Sequence, residues 1–295
     1  MALISFYRGD LIDSLYEVIM KYAINFDFGY PQLSLSERLD LICDAGFSAV
    51  FCGWGKPGDV KAVQEEVEKH GLYLNSVHAP FTTIHHMWDA ELAATELDRQ
   101  LACLKETAEC GIPVMVCHAW IGFEPEKPTE VGVESFRTLL QEAEKLGVKI
   151  ALENTEGEGY LRVLFDQLKD ELALGFCLDT GHEYCYNYAK DLLAEYGPLI
   201  YIHVNDNIGI TGESIFWLDD AHLIPFDGIV DFDRVARRLA KLGFIDTLTC
   251  EMTTSNKPGR NTHDHYAALT CEEYLARVMI AMKRLGEMVE TYRGN

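Results

Sequence analysis

Apolar positions along this chain fall into two alternating kinds of stretch. Short, nearly continuous apolar runs cover residues 3–7, 49–52, 73–77, 114–117, 149–152, 174–178, 200–204 and 247–250. Runs of that length without polar interruption are what parallel strands covered on both faces require. Between them lie segments with helical spacing. Leu11, Leu15, Val18, Ile19 and Tyr22 predict a helix over 11–23, and Ser34-Leu-Ser-Glu37 is a capping-box start to one running to Ala45. Further helices are predicted over 59–70, 91–110, 131–146, 161–168, 191–196, 232–242 and 271–288, several of them stopped by a glycine such as Gly71, Gly111, Gly147 or Gly243.

Repeated strand–helix units of this kind predict an α/β fold, a closed (β/α)8 TIM barrel forming a single domain over 1–295. An open doubly wound sheet would need a glycine-rich phosphate loop after its first strand, and Arg8-Gly9-Asp10 does not qualify. No linker or low-complexity run interrupts the alternation.

Composition narrows the function classes. With 48% hydrophobic residues, a mean hydropathy of −0.04 and no apolar run of membrane-spanning length, the chain reads as a soluble protein with no membrane partner. Its first residues read as a strand, not a signal peptide. Nine cysteines without CxxC spacing predict reduced core thiols in a cytoplasmic protein. The net charge of −22 repels polyanions, so nucleic acid is a poor partner. Lys257 and Arg260 are the only concentration of positive charge in a plausible loop.

Candidate chemistry collects at the strand ends, where barrels of this class place their sites. In chain order these ends carry His78, His118, Glu153, Asp179 with His182, and His203. Asp220 and His222 follow in a long loop, and Glu251 closes the eighth strand. A lone histidine at such a position is usually a satisfied core residue. A solvated rim would mix in Lys, Ser and Arg, whereas this set is nearly all metal-ligand types. It predicts bound divalent metal, one ion and up to three, held by nitrogen and oxygen. That donor set suits Zn, Mn, Co, Mg or Fe(II). His85 and His86 are adjacent, point in different directions, and do not suit a single ion.

Ala151-Leu-Glu-Asn-Thr155, Cys177-Leu-Asp-Thr-Gly-His182, Ile202-His-Val-Asn-Asp206 and the terminal Glu251 resemble the xylose-isomerase-like barrel superfamily. That superfamily includes apurinic endonucleases and many sugar-phosphate isomerases and epimerases. Ser76-Val-His-Ala-Pro-Phe81 and His222-Leu-Ile-Pro-Phe-Asp-Gly228 are more similar to the isomerase/epimerase branch. The resemblance implies a single metal on Glu153, Asp179, His203 and Glu251. A three-zinc site of the endonuclease kind would add His78, His118, His182, Asp220 and His222.

The expected function is therefore a divalent-metal-dependent isomerase or epimerase acting on a small sugar or sugar phosphate through a metal-stabilised enediolate. Glu153 and Glu251 would exchange the proton and His182 would hold substrate hydroxyls. Trp54, Phe81, Trp88, Trp120 and Trp217 either shape the sugar pocket or pack ordinary loops. Lys257 and Arg260 either clamp a phosphate or belong to a solvated loop over 253–270, which also holds His263 and His265. The alternatives are a multi-zinc phosphoester hydrolase and a non-catalytic sugar- or metal-binding barrel.

Overall fold

The computed structural model describes residues 20–212, 216–244 and 246–294. Its strands close into a parallel barrel in sequence order: β1 (Tyr22–Asn25), β2 (Ala49–Gly53), β3 (Tyr73–His78), β4 (Val114–His118), β5 (Lys149–Glu153), β6 (Leu174–Asp179), β7 (Leu199–Val204) and β8 (Leu248–Cys250). The connecting helices are α1 (Leu35–Asp44), α2 (Asp59–Lys69), α3 (Ala93–Glu109), α4 (Glu130–Leu146), α5 (Glu158–Leu168), α6 (Thr180–Cys185), α7 (Leu192–Glu195), α8 (Phe232–Lys241) and α9 (Cys271–Arg293). The Ser34–Glu37 capping box is present, and Thr270 and Glu273 form a second one on α9.

The (β/α)8 expectation holds, with one correction. The run 3–7 lies outside the described residues, and the first strand is β1. The spacing that predicts a helix over 11–23 runs through Tyr22, but barrel closure overrides it there. Ala23 pairs with Ala49, and Ile24 pairs with both Val50 and Cys250. Asn25 then stitches the closure: its Nδ2 donates to the Met252 carbonyl at 2.9 Å, and the Met252 N–H donates to its Oδ1 at 2.8 Å.

Alternate strand residues face the helices or the barrel axis. Val77, Met115, Ile150, Leu152, Phe176, Leu178, Ile202 and Val204 join the helices in the main core. The axis is filled differently. Val116, Ala151, Cys177 and Tyr201 form a small apolar layer. Beside it runs a buried polar chain: Ser76 Oγ donates to the Tyr201 hydroxyl at 2.7 Å, which donates to Asn75 Oδ1 at 3.0 Å, and Asn75 Nδ2 donates to Thr249 Oγ1 at 3.1 Å. On this floor stand the inward residues of the next layer, among them His78, His118, Glu153, Asp179 and His203. No helix among the described residues is long and apolar enough to cross a membrane.

Candidate metal centre

Alternation carries Glu153 inward at the end of β5 and delivers His118 beside it, since the two are register partners across β4 and β5. Asp179 and His203 are partners across β6 and β7 in the same way. All four are buried. The structure gathers the predicted residues into three groups whose ligand atoms lie within 4.8 Å of one another: His78, His118 and Glu153; Glu153, Asp179, His203 and Glu251; and His182, Asp220 and His222. Glu153 belongs to two of them.

Within these groups, His78 Nε2 and His118 Nε2 each lie 3.3 Å from Glu153 Oε2. His203 Nδ1 lies 2.9 Å from Glu153 Oε1 and 3.3 Å from Glu251 Oε2. His182 Nε2 and His222 Nε2 approach Asp220 at 3.4 and 3.1 Å.

The opposite ring nitrogens decide what these contacts mean. His78 Nδ1 meets the Ala79 carbonyl at 2.9 Å, His182 Nδ1 meets that of Asn154 at 3.0 Å, and His222 Nδ1 meets that of Glu251 at 3.1 Å. A carbonyl only accepts, so each Nδ1 carries the hydrogen and each neutral ring aims an Nε2 lone pair at a carboxylate. Lone pair facing carboxylate is repulsive unless a proton or a cation lies between. Backbone-anchored imidazoles converging with acids are the pattern that orients metal-bound histidine. Glu153 Oε2 is also buried with no hydrogen-bond partner. The residues fit divalent metal.

Cys177 is a neighbour that sequence reasoning took for an ordinary strand position. Its sulfur groups with Glu153 and His203, and in the ion-free protein burial pushes its thiol well above the usual range.

In the ion-free protein the charges rearrange around this cluster. Burial works against a charged ring at His203, yet Glu251 and Glu153 outweigh it and push the imidazole up to about 9. His222 follows, with Asp220 overcoming burial to push it up to about 9. Burial favours a protonated Glu153, but His203 and the contacts from His118 and His78 hold it well below the usual carboxylate range. Asp179 is pushed up to about 6, chiefly by burial.

Asparagines brace these ligands. Asn154 spans β5 and β6, accepting the Asp179 N–H at 2.7 Å and donating to the Asp179 carbonyl at 3.0 Å. Asn205 Nδ2 donates to Asp179 Oδ2 at 2.6 Å. Asp206 is no ligand. It accepts the N–H groups of Asn207, Gly228 and Val230, and so pins the long loop that carries Asp220 and His222. A Cβ at Gly228 would sit 2.3 Å from the Asn207 carbonyl oxygen, so only glycine closes that loop. His222 itself holds a left-handed φ of 51°, a conformation disfavoured for a side-chain-bearing residue.

Two cavities open on the cluster and share His78, Phe81 and Glu251. One, of about 290 Å³, is lined also by His118, His182, Tyr186, Trp217 and Lys257. The other, of about 230 Å³, adds Asp27, Trp54 and Arg99. A larger cavity, of about 610 Å³, lies between α2 and α3; its walls contain no histidine, and it is remote in chemistry from the strand ends.

Not every predicted residue comes to the site. Arg260 is turned onto Asp219 at 2.9 Å and lines neither site cavity. Trp88 is buried against α4, and Trp120 stacks on Tyr160 at 4.1 Å. His85 and His86 join none of the three groups. His263 is buried beside Tyr266, and His265 lies 3.8 Å from Asp227. Sequence reasoning missed Asp27, Arg99 and Tyr186. Asn154 and Asn205 could have been read from their places beside Glu153 and His203; a mid-helix arginine gave no signal.

The fold and the site define the class as a (β/α)8 barrel with a candidate metal-ligand cluster of carboxylates and imidazoles at its strand ends. The chain belongs to the Xylose isomerase-like TIM barrel family, which it matches over residues 39–284. An uncharacterized protein of Sinorhizobium fredii is 25% identical, with 88% of this chain and 91% of that protein covered. A probable endonuclease 4 of Cenarchaeum symbiosum is 27% identical over 55% of this chain and 59% of its own length. Among solved structures, a D-tagatose 3-epimerase-like protein superposes with a TM-score of 0.68 at 20% identity, covering 93% of this chain and 99% of that one.

Proposed function

We propose that the protein is a divalent-metal-dependent isomerase or epimerase of a small sugar. The observation that carries this reading is the placement of two carboxylates, Glu153 and Glu251, on one imidazole nitrogen at 2.9 and 3.3 Å, beside cavities of about 290 and 230 Å³. Such cavities admit a monosaccharide. The charge of −22 speaks against a nucleic-acid strand. Glu153, Asp179, His203 and Glu251 would hold the ion.

A divalent ion there would polarise a ketose carbonyl and its neighbouring hydroxyl and acidify the C–H between them. The rest of the work falls to side chains. In the ion-free protein His203 outweighs burial at Glu251 and at Glu153 and holds both carboxyls below the usual range, and a bound cation would favour the same ionised forms. Either carboxylate could then accept the C–H proton and return it to the same face, whereas epimerisation would need the other to take up a proton from solvent before donating to the opposite face. His182 and Asp220 line the larger cavity where substrate hydroxyls would lie. Phe81 lines both cavities and would offer its ring face to a sugar lying across their boundary.

The test is exchange of the ketose C–H proton with deuterated water by metal-loaded protein, followed by NMR over a panel of pentuloses and hexuloses. Glu251→Gln should slow exchange by about 10²–10⁴-fold with the fold intact. Unchanged exchange would remove Glu251 from the reaction.

A second reading, multi-metal phosphoester hydrolysis, is favoured by the third group, His182, Asp220 and His222, which a one-metal proton transfer does not need as ligands. Metal stoichiometry by anomalous scattering separates the two. Three ions per chain, together with cleavage of bis(p-nitrophenyl) phosphate and no proton exchange, would favour the hydrolase.

A further inference from the structure

The two cavities at the candidate centre are unequal in charge, and that difference bears on the substrate. Both cavities meet at Glu251, so a sugar of five or six carbons reacting there can place one end in each. The larger cavity contains Lys257, which lies 3.7 Å from Asp220 and over the Trp217 ring at 5.8 Å. The smaller one contains Arg99, reaching in from the middle of α3.

Arg99 is held at one end, by Thr83 and by a longer ion pair to the buried Glu96. Its Nη1 donates to Thr83 Oγ1 at 2.7 Å, and its nearest carboxylate oxygen, on Glu96, is 3.9 Å away. Glu96 is already committed, accepting Thr83 Oγ1 and Gln100 Nε2 at 2.7 Å each. The Nε and Nη2 donors of Arg99 have no acceptor among the described residues. The side chain is thus aimed by Thr83 and left with a fork of donors, the geometry that carboxylate and phosphate accept in bidentate fashion.

Trp54 forms a wall of the same cavity, and its ring is fixed by Nε1 donating to the buried Glu106 at 2.8 Å. The lobe is built, with Arg99 as its cation and the Asp27 carboxylate on its surface, while Glu251 and His78 mark the end it shares with the other cavity. An anion at Arg99 and a hydroxyl at Asp27 satisfy both.

We propose that this lobe is an anion subsite: Arg99 binds the carboxylate or phosphate at the non-reacting end of the sugar. The inference rests on the isomerase reading for which end reacts, but not for binding itself.

The test is titration calorimetry of metal-loaded protein with D-fructose, D-fructose 6-phosphate and D-fructuronate, and with the corresponding pentulose set. At least one charged ketose should bind about tenfold or more tightly than its neutral parent. Whichever charged form gains more identifies the terminus. Arg99→Gln should bring charged and neutral forms within about twofold, and Arg99→Lys should recover part of the gap. Equal affinities in the wild type, no binding by any charged ketose, or a preference that survives Arg99→Gln each overturn the subsite. A charged ketose held through Arg99 that never exchanges its C–H proton would retire the isomerase reading and leave the subsite standing. Proton exchange with no charge preference would do the reverse.

Discussion

Stripping metal from the centre should give the protein an unusual dependence of stability on pH. In the ion-free state His203 and His222 titrate at about 9, whereas an unfolded histidine titrates near 6.5. A base whose folded pKa is raised stabilises the fold fully below the unfolded value, and that contribution is lost as pH rises through the folded one. Between pH 6.5 and 8.5 each ring therefore gives up about 2 kcal/mol, or about 4 kcal/mol for the two. His182 is pushed the same way by Asp179 and Asp220 against burial, so the two-ring figure is a floor. Asp179, pushed up to about 6, has released its proton before the window opens.

For a chain of this length the unfolding entropy is about 0.6 kcal/mol per kelvin, so the melting temperature should fall by about 6 °C across the window. Bound metal needs neutral rings, so its stabilising effect should grow over the same range. The assay is differential scanning calorimetry of chelator-treated protein at pH 6.5, 7.5 and 8.5, with and without excess Mn²⁺ or Zn²⁺. His222→Gln should remove about half of the metal-free slope. A metal-free melting temperature that stays flat or rises with pH would refute the reasoning.

Other expectations concern parts that support the site. A Cβ at Gly132 would lie 2.0 Å from Trp88, whose indole is fixed by its N–H donating to the Ala119 carbonyl at 2.8 Å. Gly132→Ala should therefore cost about 2 kcal/mol by overpacking, read as a lower denaturant midpoint. Glu106→Ala would leave the Trp54 indole and the N–H groups of Gly58 and Lys61 without their shared acceptor. A loss of about 3 kcal/mol is expected, with altered Trp54 fluorescence. Burial pushes His263 down to about 4, so the unfolded chain binds the extra proton and stability falls as pH drops from 6.5 toward 4. Relative to His263→Gln, wild type should lose about 2 kcal/mol between pH 6.5 and 5, measured by urea unfolding at each pH.

Most of the barrel was legible because strands buried on both faces leave uninterrupted apolar runs. β5 and β6 are plain cases, with Ile150, Leu152, Phe176 and Leu178 facing the helices and little polar contrast between them. β1 was not legible. Its inward residues are Ala23 and Asn25, its length is four residues, and the helical spacing predicted over 11–23 runs into it, the part at 11–19 lying outside the described residues. The ligand cluster was readable because each member ends a strand. The cavities were not, since Asp27 comes from a loop and Arg99 from the middle of a helix, and only the curvature of the barrel brings them to the rim. Arg260 fails for the opposite reason: a loop cation in the right stretch of sequence is taken by Asp219.

The histidine anchors carry one more consequence. His222 hangs on the carbonyl of Glu251, and His182 on that of Asn154, the residue after Glu153. Ligands of the outermost group thus take their aim from the main chain of the central one. If the outer group also takes an ion, one that drew in Glu153 and Glu251 would tighten the carbonyls that orient His182 and His222, so filling one position would prepare the next. Metal uptake should then be cooperative, with a titration steeper than independent sites allow and a coupling of about 1–3 kcal/mol between positions. Asn154, though no ligand itself, would be the joint through which that coupling passes.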